Sequence, residues 1–355
     1  MRKLAVRGPS GERVATARTM RQFRTSLPLL FIGAAALPLV TTPPAAQTVE
    51  ALPLELEAKI PLGDVKGRID HLAFDPKRHR IFVAELGNGS VGVVDLNDRK
   101  VIHVISELNE PQGVAYVPWT DTLYVASGGD GSVRVFQAAD YAAAAQIDLG
   151  DDADNIRVDA AANRVFVGYG SGALAVIDPA RPGKIAEIPL RTHPESFQLA
   201  PSVNRAFVNL PRTREIGVVD LAAGKQVATW PMNRGANFPM AVDPDTQRVL
   251  VVFRSPPGLD VLSMRQGAVV ASVEACGDAD DIFVDARRHR VYVSCGEGFL
   301  DVFDAQSDAY RRVAHMPTAS GARTSFFIPE LDRLFLAVPA TLGQPAEIWV
   351  FRAVP

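Results

Sequence analysis

The chain reads as an all-β protein: a seven-bladed β-propeller of four-stranded antiparallel blades, closed by an N-terminal strand that completes the last blade. Three observations predict this. Residues 70–95, DHLAFDPKRHRIFVAELGNGSVGVVD, and residues 280–304, DDIFVDARRHRVYVSCGEGFLDVFD, repeat one pattern far apart in the chain. Between and beyond them, first-strand signatures begin at Asp70, Gln112, Asp154, Glu195, Phe238, Asp280 and Thr324, at offsets of 42, 42, 41, 43, 42 and 44. Finally, the apolar runs are only four to six residues long, rich in Val and aromatics, and bounded by Gly, Pro, Asn and Asp, which specifies strands rather than helices. A period near 42 with four such runs is the blade of a propeller, and seven periods make seven blades.

Each unit runs through the same programme. The first strand (DHLAFD, QGVAYV, DNIRVD, ESFQLA, FPMAVD, DDIFVD, TSFFIP) leads into a polar turn that often ends in Arg, as in DPKRHR, DAAANR, DPDTQR and DARRHR. Pro presets φ there and Asp or Asn side chains bond the nearby backbone, so a tight hairpin follows. The second strand comes next (IFVAEL, LYVASG, VFVGYG, AFVNLP, VLVVFR, VYVSCG, LFLAVP), then a Gly- or Pro-bearing loop and a third strand such as SVGVVDL or FLDVFDA. A weaker fourth strand closes most units, as in KVIHVI and KQVATW. The seventh unit stops after its third strand, and residues 54–62, LELEAKIPL, carry the missing fourth-strand pattern. Their expected place is the outer edge of blade 7, where they close the ring.

Second strands of the form Tyr/Phe-Val-Ala/Ser at this period resemble those of the YVTN-repeat β-propellers, the YncE-like exported proteins. The resemblance covers roughly residues 52–355. It implies the fold and an exported protein, and it implies no particular activity.

Ahead of the repeats, residues 27–40, LPLLFIGAAALPLV, form the only long apolar segment. Fourteen residues interrupted by Pro28 and Pro38 are short of the ~20 that span a bilayer. Arg21 and Arg24 precede them and TTPPAAQ follows, the layout of a secretory signal. Residues 1–46 are therefore expected to be a signal peptide, with Met20 as an alternative start, and 52–355 a single propeller domain. The mature chain would be periplasmic or secreted, with no membrane span after cleavage. It would lack Arg2, Lys3, Arg7, Arg13, Arg18, Arg21, Arg24 and Glu12, leaving 30 basic and 39 acidic residues and a net charge of −9. That charge disfavours nucleic acid as a partner.

Cys276 and Cys295 are the only cysteines. Cys276 ends the fourth strand of blade 5 as the chain turns towards the face where first strands begin. Cys295 returns to that face before the loop at 296–298. A disulfide between them is geometrically feasible, the alternative being two separate thiols.

Residues entering the first strands converge on one mouth of the central channel. The candidates there are Arg68, Asp70 and His71 (blade 1), Gln112 (blade 2), Asp154 and Asn155 (blade 3), His193 and Glu195 (blade 4), Asn237 (blade 5), Asp280 and Asp281 (blade 6), and Arg323 with Thr324 (blade 7). Polar groups at these positions are either ligand-binding or simply solvate the channel and cap strands. Arg68 and Arg323 could clamp an anion, or else pair with Asp70 and Asp281. GDDADNIRVD and CGDADDIFVD are near copies on almost opposite blades, which makes a divalent cation an option at their carboxylates. No cofactor is assured, and GxSxG, HExxH and phosphate-binding glycine loops do not occur. His79 and His289 belong to first hairpins at the opposite face. The leading expectation is a propeller that binds a small molecule or protein partner at this mouth, without assured catalysis. The alternatives are a metal-assisted lactonase or lyase at the same funnel, and a structural module of an envelope or redox complex.

Overall fold

The computed structural model describes residues 52–355, so the expected signal peptide at 1–46 lies outside the described residues. A first strand, β1 (Leu54–Pro61), is followed by 27 more that form seven separate four-stranded antiparallel sheets. Six of these take four consecutive strands, within residues 72–105, 111–148, 153–189, 197–231, 235–273 and 279–317. The seventh combines three strands within 325–353 with β1. In that sheet β1 pairs antiparallel with the last strand (Glu347–Ala353), from Leu54 opposite Ala353 to Pro61 opposite Glu347. The N-terminal strand thus closes the ring as expected, and no blade is left with its third strand as an open edge. Among the described residues no helix is long and apolar enough to cross a membrane.

The ring is held by its seams. Seven clusters of buried apolar side chains lie one between each pair of neighbouring blades, for example Ile60, Ile69, Leu72, Ile81 and Phe335 between blades 7 and 1. Both faces of a blade's middle strands are covered, so these strands read as continuous apolar runs instead of alternating ones. The outer fourth strands are exposed along most of their length, with Val104, Ile185, Val227 and Val313 open at the rim.

The first hairpins share one backbone device. The residue before each second strand is left-handed: His79, Asp121, Asn163, Asn204, Gln247, His289 and Asp332, at φ between 50° and 57°. Asn, Asp and His tolerate that region best among non-glycine residues, which accounts for six of the seven. Charged side chains of the same hairpins reach the next blade. Arg78 bonds Asp75 at 2.7 Å and Asp121 of blade 2 at 2.6 Å, and Arg288 bonds Asp285 at 3.0 Å and Asp332 of blade 7 at 2.8 Å. His79 and His289 therefore serve turn geometry, away from the channel mouth.

Ladder register corrects one assignment. Asp285 pairs with Arg290 in blade 6 and Ile328 with Arg333 in blade 7. Counting back five residues, the position equivalent to Asp280 is Arg323, not Thr324. Thr324 sits one step deeper, buried, with its hydroxyl 3.3 Å from the carbonyl of Ile69 across the seam to blade 1.

Candidate functional site at the channel mouth

The ladders place Asp70, Gln112, Asp154, Glu195, Phe238, Asp280 and Arg323 at one level of the seven first strands. Four of the seven are acidic. Below them, the inward residues of the first strands surround a cavity of about 420 Å³, whose polar lining includes His71, Arg157, Gln198, Asp281 and Ser325.

Part of this mouth is a matched ion-pair network. Arg68 Nη2 lies 2.8 Å from Asp70 Oδ2 and 3.9 Å from Asp280 Oδ2. Arg323 approaches Asp280 through Nε at 3.0 Å and Asp278 through Nη1 at 3.0 Å. Arg254 holds the other oxygen of Asp280 at 2.5 Å, lies 3.4 Å from Asp278, donates to the carbonyl of Ala279 at 2.8 Å and covers the ring of Phe238 at 4.1 Å. Three guanidinium groups thus face Asp70, Asp278 and Asp280. The expected partnership of Arg68 with Asp70 exists, but Arg323 pairs with Asp278 and Asp280 in place of Asp281. The reason is register, which puts Arg323 level with Asp280. Asp281 points one level down, where it accepts from the amide of Ser325 at 2.8 Å and lies 3.8 Å from His71 Nδ1. His71 Nε2 is likewise 3.8 Å from Asp70 Oδ1, so the ring sits between two acids.

The other part of the mouth is unmatched. Asp154 is only 6% exposed, and neither it nor Glu195 of the adjacent blade has a side-chain hydrogen bond or an ion pair within 4.0 Å among the described residues. At this level the fully buried oxygens without an aligned hydrogen-bond donor are Asp70 Oδ2 and Asp280 Oδ2, each near a guanidinium, whereas the oxygens of Asp154 and Glu195 open to the channel. Burial raises the Asp154 carboxyl to about 7, with the charges of Asp70 and Asp152 adding to it and His71 and Arg68 opposing it. Burial likewise raises Glu195 to about 8, helped by Asp154 and Asp280 and opposed by Arg254. Asp70 and Asp281 move upward too, chiefly by desolvation.

The remaining sequence candidates fall in different places. His193 is buried with Nδ1 2.6 Å from the carbonyl of Gly170, to which it donates, and 3.5 Å from Asp152 Oδ2. Gln112 is half-buried against Gly128. Asn155 is buried with its oxygen unpartnered. Asn237 is fully buried with its oxygen unpartnered, and its amide donates to Asn209 Oδ1 at 3.1 Å and to the carbonyl of Glu215 at 3.0 Å. Both donated bonds tie blade 5 to blade 4. The expected disulfide is present, Cys276 joined to Cys295 with Cα atoms 5.9 Å apart.

Sequence reasoning missed Arg254 and Arg157. Arg254 is next to last in the second strand of blade 5 (Arg248–Ser255), where the equivalent residues are Leu86, Gly128, Gly170, Pro211, Gly296 and Pro339, and it is the one charged member of that column. Arg157 stands among Ala73, Ala115, Gln198, Ala241 and Phe283 on the channel wall. Desolvation lowers its pKa, and it holds the carbonyl of Ile156 at 2.8 Å. Among the described residues, no three His, Cys, Asp or Glu side chains gather with metal-site geometry.

No protein-family model and no curated protein sequence matches the chain. Solved structures do resemble it. A chain of the Kuenenia stuttgartiensis hydrazine synthase matches at TM-score 0.69 and 18% identity, over 81% of this chain and 95% of that one. A chain of a mitotic checkpoint complex matches at TM-score 0.74 and 13% identity, over 91% and 100%. At such identities the likeness is one of fold, and it agrees with the seven-bladed ring.

Proposed function

We propose that this propeller is a binding protein of an oxidising, extracytoplasmic compartment, and that a small polar ligand occupies its acidic channel mouth. The fold supports a binding or scaffold role, and the buried disulfide and the signal-like N-terminus support export. The 42-residue period with its Tyr/Phe-Val-Ala/Ser strands supports a place among YncE-like YVTN-repeat propellers. One observation carries the ligand reading: Asp154, 6% exposed, has no hydrogen bond or ion pair among the described residues and stands one level above a 420 Å³ cavity, beside a network in which the neighbouring acids face guanidinium groups. A buried, unpaired ionisable group costs stability that packing alone would not retain, and such groups concentrate at binding sites.

A second reading, hydrolase or lyase chemistry, draws on the same pair. Carboxyls titrating at about 7 and about 8 are poised for proton transfer near neutral pH. The structural neighbours share the fold alone and favour neither reading.

Native mass spectrometry after equilibration with a small-molecule extract tests the binding reading. The expected result is a discrete adduct on the wild-type propeller that is lost when Asp280→Ala and Arg323→Ala are combined. A wild-type chain that retains nothing and whose melting no fraction alters would count against it.

A further inference from the structure

We infer that the unmatched half of the mouth is a subsite for an ammonium group, with Asp154 of blade 3 and Glu195 of blade 4 as its two acceptors. This rests on the mouth being a ligand site, and it names the chemistry of the ligand.

Charge bookkeeping across the mouth comes first. Arg68, Arg254 and Arg323 face Asp70, Asp278 and Asp280, so those guanidinium groups are already engaged. Asp281 has the amide of Ser325. Asp154 and Glu195 remain, at equivalent register positions of adjacent first strands, with no cation within 4.0 Å among the described residues. The charged groups that face Asp154 are Asp70, Asp152, His71, Arg68 and Arg157, and those that face Glu195 are Asp154, Asp152, Asp280, Arg254 and Arg68. Around Glu195 acids outnumber bases, and around the pair together Asp70, Asp152 and Asp280 join the two carboxyls against His71, Arg68, Arg157 and Arg254. An anionic ligand group would meet this surplus directly, whereas a cation would relieve it.

The kind of cation follows from the acceptors. Two carboxylates offer oxygens but no third His, Cys, Asp or Glu completes a metal set among the described residues. A divalent ion would therefore depend on water for most of its shell. A primary ammonium is a compact single charge with three rotatable donors, enough to serve both carboxylates and keep one hydrogen for water or a backbone carbonyl. The raised carboxyls then link binding to pH: an alkylammonium keeps its proton to about pH 10, while the acids must release theirs, so binding tightens with rising pH and expels protons.

Calorimetry and melting curves with n-butylamine, n-butyrate, n-butanol, CaCl₂ and the tripeptide Gly-Lys-Gly test this on the full mature chain. The expected result is binding of n-butylamine that strengthens between pH 6 and 8.5, with proton release measured in buffers of different ionisation enthalpy. Asp154→Asn and Glu195→Gln should each weaken it about tenfold or more, the scale of a charged hydrogen bond. Both replacements remove charge from a desolvated place, so the variants should melt no lower than wild type and a lost response is not a lost fold. Stronger binding of the tripeptide than of butylamine assigns the same subsite to a lysine side chain. Butylamine without effect at pH 8.5, an effect surviving both replacements together, or Ca²⁺ binding in its place overturns the ammonium subsite. Butyrate or butanol binding that survives Asp154→Asn with Glu195→Gln but is lost in Arg323→Ala would overturn it while leaving the mouth a ligand site.

Discussion

The amide of Cys276 donates to Asp301 Oδ2 at 2.8 Å, so the connector between blades 5 and 6 is fastened twice at one residue. The sulfur of Cys276 is bonded to Cys295, and Asp301, fully buried, also accepts from Arg312 at 3.1 Å and His315 at 2.5 Å. The disulfide closes a separation of 19 residues, worth roughly 3 kcal/mol in the chain-entropy account. Because Asp301 holds the same connector without it, Cys276→Ser with Cys295→Ser should fold to the same ring with a lower unfolding midpoint. Guanidinium unfolding with and without reductant checks this. Equal midpoints would show that the cross-link adds nothing.

The mouth should make the apo protein less stable as the solution becomes more alkaline. Asp154 and Glu195 have folded pKa values of about 7 and about 8, above the ordinary 3.8 and 4.5 of the free groups. The folded state therefore binds more protons than the unfolded one in that window, and stability falls as pH rises from about 4.5 to about 8. Asp70 and Asp281 act in the same direction. Below that window the ion-paired Asp121 and Asp332, held under their ordinary values by Arg78 and Arg288, lose their bonds and reverse the trend. Urea unfolding at pH 5.5, 7 and 8.5 should show a decline on the order of a few kcal/mol, flattened by Asp154→Asn. A stability that climbs from pH 5.5 to 8.5 would contradict it.

Ring closure predicts a large penalty for a short deletion. β1 contributes buried Leu54 and Ile60, with Leu62 just after it, to the seams of blade 7. Its Glu57 and Glu55 also bond Arg333 and Arg352. At 1.5–3 kcal/mol per fully buried apolar side chain, removal of residues 52–62 should cost roughly 5 kcal/mol or more. It should also leave the last strand as an exposed edge. Melting of the truncated chain alongside the full domain decides this, and coincident transitions would refute the closure argument.

Fold and site were not equally legible in the chain. Blade number and closure could be read because each blade repeats local rules: short apolar runs, an Asp- or Asn-bearing hairpin, and a fourth-strand pattern displaced to the N-terminus. Blade 7 was misread by one residue because TSFFIP lacks the Asp that ends most first strands, and only the pairing of Ile328 with Arg333 fixes its register. The acids of the mouth were found because they enter first strands. Their pairings were not, since Arg254 and Asp280 are 26 residues apart on different blades and meet through the curvature of the ring. Arg254 enters from near the end of a second strand, a position where charge is otherwise avoided, and that exception was the available signal.

Gly113 ties packing to the site. It lies on the first strand of blade 2 (Pro111–Val117), where a Cβ would stand 2.1 Å from the carbonyl oxygen of Asp154 and 3.0 Å from Cγ1 of Ile156. A flexible side chain could swing clear of such a contact, but a backbone carbonyl moves only with its strand. Gly113→Ala should therefore push the first strand of blade 3 outward, at about 1–3 kcal/mol for an overpacked interior. The same shift displaces the Asp154 carboxyl from its desolvated place, so the decline of stability with pH should become shallower. Gly183→Ala is the control: its nearest neighbour is a carbonyl oxygen at 3.5 Å in an open turn, and it should stay within about 0.5 kcal/mol of wild type. Chemical unfolding of both variants at pH 5.5 and 8.5 reads the two effects together. If Gly113→Ala behaved like Gly183→Ala at both pH values, blade 2 would not set the position of Asp154.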